Sequence, residues 1–106
     1  MKILIKHTNL DATPAIDEFV QEKINSLSKL LTRWERGPDS VVARVEVSRT
    51  TQHHHKGNVF RAEVTIDLPG RILRAEHTGD DVRVAIDLVK DKLHREITKY
   101  NDQKTH

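Results

Sequence analysis

Residues Gly57 to His77 read GNVFRAEVTIDLPGRILRAEH, and this stretch decides the fold. Phe60, Ala62, Val64, Ile66 and Leu68 alternate with Arg61, Glu63, Thr65 and Asp67. A period of two places the apolar residues on one face of a strand and the polar residues on the other. Pro69-Gly70 supplies the turn: proline presets one corner, and glycine accepts the positive φ that a type II turn requires at the next. A two-residue loop sets Leu68 against Arg71, Ile66 against Leu73 and Val64 against Ala75. Leu73 and Ala75 then join the apolar face, and Arg74 and Glu76 join the polar one. Such a hairpin needs cover on one side only, and the amphipathic stretches on either side of it in the chain can provide that cover.

Before the hairpin, Lys2 to His7 reads as a short strand with Ile3 and Ile5 on one side and Leu4 on the other. Asn9 to Thr13 is turn-like. Thr13-Pro14 starts a helix, with a capping hydroxyl followed by proline at the first helical position. Asp17 and Glu18 suit the positive end of its dipole. Ile16, Val20, Ile24, Leu27, Leu31 and Trp34 form one stripe at ~100° per residue, which predicts a helix to about Trp34, stopped by Gly37-Pro38. Val41 to Arg49 alternates as a strand. Thr50 to Lys56 is a loop that carries His53, His54 and His55.

After the hairpin, Thr78 is the expected cap of a second helix, with Asp80 and Asp81 in its first turn. Val82, Ile86, Val89, Leu93, Ile97 and Tyr100 form its buried stripe, and Asn101 to His106 is expected to be a short frayed tail. The order β-α-β-β-β-α predicts an α+β, two-layer sandwich: a four-stranded sheet with two helices on one face. Residues 1–100 form a single domain in this reading.

Composition narrows the function. No run approaches the ~20 apolar residues of a membrane span, the MKILIKH opening is too short and charged for a signal peptide, and the absence of cysteine removes thiolate metal sites. A cytoplasmic location fits. The net charge of +2 is mild, so a nucleic-acid binder of this kind must sort its charge spatially. No nucleophile motif or phosphate-binding glycine loop is present, so the reading is of a protein that is not an enzyme and takes no cofactor or small-molecule substrate. Three consecutive histidines point in alternate directions in an extended loop. His53-His54-His55 is therefore read as a contact loop with Arg49 and Lys56, and no metal is expected.

The second helix carries the most informative surface. Lys92, Arg95 and Lys99 fall within ~60° of one another on one shoulder of the buried stripe, and Arg83, Lys90 and His94 line the other. On the first helix, Lys29, Arg33 and Arg36 gather toward the C-terminal end, and Lys23 sits beside Phe19 and Leu30. A phosphate-binding ridge and an ordinary solvated helix with cations near its C-terminal end both fit this spacing. The polar sheet face, with Arg44, Arg61 and Arg74, is a further candidate contact surface.

Three segments resemble the ribosome hibernation-promoting factors, also called ribosome-associated translation inhibitors. They are NLDATPAIDEFVQEKINSLSKL, the hairpin VFRAEVTIDLPGRILRAE, and DDVRVAIDLVKDKLHREITKY, the strongest match. The order and spacing of the segments carry the resemblance. It implies a fold similar to the double-stranded RNA-binding domain. It also implies binding, as a monomer off the ribosome, to the small ribosomal subunit and its rRNA near the decoding centre, in the channel of messenger and transfer RNA. Translation would be blocked there in starved cells. By position, rRNA contacts would fall to Lys23, Lys29, Lys92, Arg95 and Lys99, joined on the same helix faces by Arg33, Arg83 and Lys90. Arg83 departs from the family, many of whose members have an aromatic residue there, and the chain resembles the short form. The alternatives are a regulatory protein–protein module, since the family is associated with sigma-factor modulation, and a general double-stranded RNA binder.

Overall fold

The computed structural model describes residues 1–50 and 59–104. Strand β1 (Lys2–Thr8) leads into helix α1 (Pro14–Asn25), which is followed by 3₁₀ turns at Ser28–Leu30 and Thr32–Trp34. Strands β2 (Val42–Arg49), β3 (Phe60–Leu68) and β4 (Arg71–Gly79) come next, and helix α2 (Val82–Gln103) ends the described chain. The sheet order is β1-β2-β3-β4. β1 runs parallel to β2 across the α1 connection, and the other neighbours are antiparallel.

The hairpin has the register that its turn demands: Leu68 pairs with Arg71, Ile66 with Leu73 and Val64 with Ala75. Gly70 sits at φ +80°, the left-handed corner of the turn. The pairing lines the inner face in rows across the sheet. Ile3, Ala43, Ile66 and Leu73 make one row, and Ile5, Val45, Val64 and Ala75 make the next. Both helices lie on this face, α2 over β3 and β4, and α1 beside α2 and β1. Val82, Ala85, Ile86, Val89, Leu93, Ile97 and Tyr100 of α2 are buried there with Val20, Ile24, Leu27 and Leu31. Each fully buried aliphatic side chain contributes about 1.5–3 kcal/mol, and no polar side chain is buried in the core among the described residues.

The first helix is shorter than its apolar stripe suggests. It closes at Asn25, and the chain goes on through i→i−3 hydrogen bonds: Leu27 N–H to Ile24 O, Leu30 N–H to Leu27 O and Trp34 N–H to Leu31 O. The Ser26 hydroxyl donates to Lys23 O at 2.5 Å, a local side-chain bond of the kind that competes with helix continuation. The tighter turns still bury Leu27 and Leu31, which stand at the ends of the 3₁₀ turns and not inside them.

Two further boundaries differ from expectation. Thr78 does not cap α2: it is still in β4, opposite Arg61, and Asp81 caps the helix by accepting from Arg83 N–H at 2.8 Å. Asn101 to Gln103 continue α2 where a frayed tail was expected. Asn101 anchors the helix end, accepting from Trp34 Nε1–H at 2.7 Å and donating from Nδ2 to Leu30 O at 2.8 Å. Among the described residues no helix is long and apolar enough to cross a membrane.

Candidate nucleic-acid interface

The outer face of the sheet is rich in arginine, yet its charge is cancelled at short range. The register sets Glu46, Glu63 and Glu76 side by side across three strands. Like charges in such a row repel unless cations stand between them. Arg61 and Arg74 each pair with both Glu63 and Glu76, Arg44 pairs with Asp67, and the Thr8 hydroxyl donates to Glu46 at 2.7 Å. The hydrogen bonds from Arg74 and then Arg61 hold the Glu63 carboxyl below its ordinary range against the opposing pull of burial. Every arginine singled out on this face is thus committed to a carboxylate.

The helix layer divides its cations differently. Asp87 and Asp91 lie toward the outer side of α2 and take two of them. Lys23 Nζ reaches across from α1 to Asp87 at 3.4 Å, and Lys90 Nζ meets Asp91 at 3.0 Å. The hydrogen bond from Lys90 lowers the Asp91 pKa. Arg83 and Lys23 both stack on Phe19, at 5.7 and 5.5 Å from its ring centre. Arg33 leaves its own segment and donates to Asn101 O and Lys104 O, at 3.2 and 3.3 Å, while lying 5.1 Å from the Trp34 ring. It closes the C-terminal end of α2, where unpaired carbonyls and the negative end of the dipole favour a cation.

Lys29, Lys92, Arg95 and Lys99 remain, and none of them forms an ion pair among the described residues. Lys29, Arg95 and Lys99 are exposed, and Lys92 is half-buried beside Arg74, Ala75 and Glu76 of β4. Lys92 and Lys99 are seven residues apart, so the α2 row extends about 10 Å. Carboxylates are close, with Asp91 in the field of Arg95 and Asp102 beside Arg95 and Lys99, yet a row whose cations are not held in ion pairs can displace the counterions condensed on a nucleic-acid backbone. The eight basic residues picked out from the sequence therefore fall into three sets: ion-paired Lys23 and Lys90, clamped Arg33 and Arg83, and open Lys29, Lys92, Arg95 and Lys99.

Arg71 and Lys104, which carry no mark as contact residues in the sequence, lie on the Tyr100 ring at 5.4 and 5.6 Å. The spacing of Lys104 from Tyr100 was the one signal available for either residue. Among the described residues no group of three His, Asp or Glu side chains is placed to hold a metal ion, and His53, His54 and His55 lie outside those residues.

The model of the family described as sigma 54 modulation protein / S30EA ribosomal protein matches residues 3–105. The chain belongs to this family. It is 30% identical over 110 aligned residues to a ribosome hibernation promotion factor of Picosynechococcus sp., covering all of this chain and 54% of that protein. It is 36% identical over 92 residues to a ribosome hibernation promotion factor of Staphylococcus aureus, covering 87% of this chain and 44% of that one. The chain thus spans about half the length of the curated relatives it matches. The crystal structure of the Thermus thermophilus Protein Y N-terminal domain superposes with a TM-score of 0.70 at 31% identity, over 94% of this chain and 99% of that one. A ribosomal subunit interface protein from Coxiella burnetii gives the same TM-score at 21% identity, over 96% and 99%, and shares the fold. The β-α-β-β-β-α sandwich of this chain is thus the fold of its family.

Proposed function

We propose that this protein is a ribosome-binding hibernation factor that holds the small subunit inactive by lying in the channel of messenger and transfer RNA, with α2 against rRNA. The observation that carries the reading is the sorting of charge. Carboxylates neutralise the sheet-face arginines, whereas Lys92, Arg95 and Lys99 stand open along one side of α2. Membership of the family and the names of the relatives support the ribosome as the partner. Folded RNA is bound largely through phosphate and shape, which needs no base-stacking platform and suits a chain with 4% aromatic residues. The mechanism is occlusion, not catalysis. A packed domain measuring 49 × 25 × 18 Å, held electrostatically in the cytoplasm's ribosomes as a single copy, excludes the RNAs that must occupy the same channel.

Competition tests this directly. Small subunits preloaded with messenger and initiator transfer RNA are expected to lose most of their capacity for the protein, and the free protein is expected to inhibit cell-free translation. Equal binding to empty and preloaded subunits would reject the channel, and absence of binding to either would reject the ribosome.

A further inference from the structure

The C-terminal end of α2 carries a second cationic cluster, built on a different principle from the row along its side. Trp34 and Tyr100 stack with ring centres 4.9 Å apart and planes inclined by 26°. Tyr100 Oη donates to Pro69 O at 3.2 Å and so ties the helix end to the hairpin turn. Three cations rest on this aromatic pair: Arg33 on Trp34, and Arg71 and Lys104 on Tyr100. What holds them carries no formal charge, namely ring faces and, for Arg33, the carbonyls of Asn101 and Lys104 at the C-terminal end of α2.

The contrast with the sheet face decides what the cluster can do. An arginine fixed by a glutamate is positioned and cancelled together, whereas a cation fixed by a ring quadrupole is positioned and keeps its full charge. Among the described residues none of these three cations forms an ion pair. Asp67, paired across the strands with Ile72 beside Arg71, is taken by Arg44. Asp102 is exposed and lies ~160° around the helix from Tyr100, whereas Lys104 lies only ~40° from it. Arg33, Arg71 and Lys104 are all exposed.

We infer that Arg33, Arg71 and Lys104, ordered on the Trp34–Tyr100 stack, form a preorganised binding site for the phosphodiester backbone of folded RNA at the hairpin-turn end of the domain. This rests on the ribosomal reading above and extends the contact beyond the α2 row, which ends one residue before Tyr100. Preordering makes the site economical, because long side chains already held on rings lose little further freedom on binding. The ligand is the phosphate backbone and not a base, since the Trp34 and Tyr100 faces already stack on each other and on the cations.

The test compares small-subunit co-sedimentation of the wild type, Arg71→Glu/Lys104→Glu and Arg71→Lys/Lys104→Arg across a salt series. Circular dichroism and thermal melting of each variant serve as controls of folding. The charge reversal is expected to weaken binding about tenfold or more and to flatten the salt dependence by about two counterions, while the charge-preserving pair stays within about threefold of wild type. Wild-type affinity and slope in the charge reversal overturn the site and leave the ribosomal reading standing. Equal loss in both variants overturns it as well, because the defect is then one of packing. A wild type that fails to bind at all overturns both.

Discussion

Asn101 offers a sharp test of how the two ends of the helix layer are held together. Its amide accepts from Trp34 Nε1–H at 2.7 Å and donates to Leu30 O at 2.8 Å, both in half-buried surroundings. Asn101→Ala leaves an indole N–H and a carbonyl without these partners. At about 1–2 kcal/mol for each stranded group, the loss is about 2–4 kcal/mol. Alanine returns roughly 0.5 kcal/mol through its better helix propensity, so the net destabilisation is about 2–3 kcal/mol. For a domain of this length that corresponds to a fall of about 10 °C in Tm. The assay is urea unfolding followed by fluorescence, and the probe is built in, because Trp34 is the only tryptophan. Asn101→Asp separates the two bonds, since a carboxylate still accepts from the indole but cannot donate to Leu30 O. Its second oxygen would face Leu30 O and its charge would sit at the negative end of the helix dipole, so it is expected to be no more stable than alanine. A loss below about 0.5 kcal/mol for Asn101→Ala, at an unchanged m-value, would refute the view that this side chain locks the end of α2.

Other outcomes follow from the same structure. Gly70→Ala should cost about 1 kcal/mol, because φ is +80° and a left-handed residue with a Cβ is strained; space does not limit it, since the added Cβ would stand 3.9 Å from Tyr100 Oη, and the urea midpoint measures the change. Leu93→Asp should abolish cooperative unfolding and near-UV dichroism, because Leu93 is fully buried and an unpaired carboxylate would enter the core. Glu63 has a folded-state pKa below its unfolded value, so its contribution to stability is present above the ordinary glutamate pKa and is lost as pH falls through the folded one. Glu63→Gln should therefore flatten the acid limb of a stability–pH curve below about pH 4.3 and lower stability at neutral pH; an unchanged acid limb would show that the Arg61–Arg74 bracket contributes nothing.

The sheet was legible because its signals are local. The alternation in β3 and the Pro69-Gly70 corner together set a register, and a register of period two leaves no freedom about which face is apolar. The buried stripe of α2 was legible for the same reason. What escaped were features made by contact between distant segments or by competition between similar geometries. The stripe from Leu27 to Trp34 has the spacing of an α-helix, yet the chain there forms two 3₁₀ turns, and the local bond from Ser26 to Lys23 O is the kind of competitor that periodicity does not reveal. Asn101 belongs to a polar sequence, so only its distance from Leu30 and Trp34 in space reveals it as an anchor. The candidate site divides along the same line. Spacing alone put Lys92, Arg95 and Lys99 on one shoulder of α2. Which cations stay open depends largely on carboxylates from other elements: Asp87 for Lys23, Glu76 for Arg61 and Glu63 for Arg74. Periodicity within one helix carries no information about those pairings.

The open row on α2 is expected to make the ribosomal contact. The measurement that tests it most directly is the salt dependence of small-subunit affinity for the wild type and for Lys92→Glu/Arg95→Glu, two residues whose change leaves the core untouched. A wild type whose log K falls linearly with log salt, and a folded double variant with weaker binding and a slope shallower by about two, are the expected results. A folded double variant that binds with wild-type affinity and slope would contradict the account and place the contact on another surface.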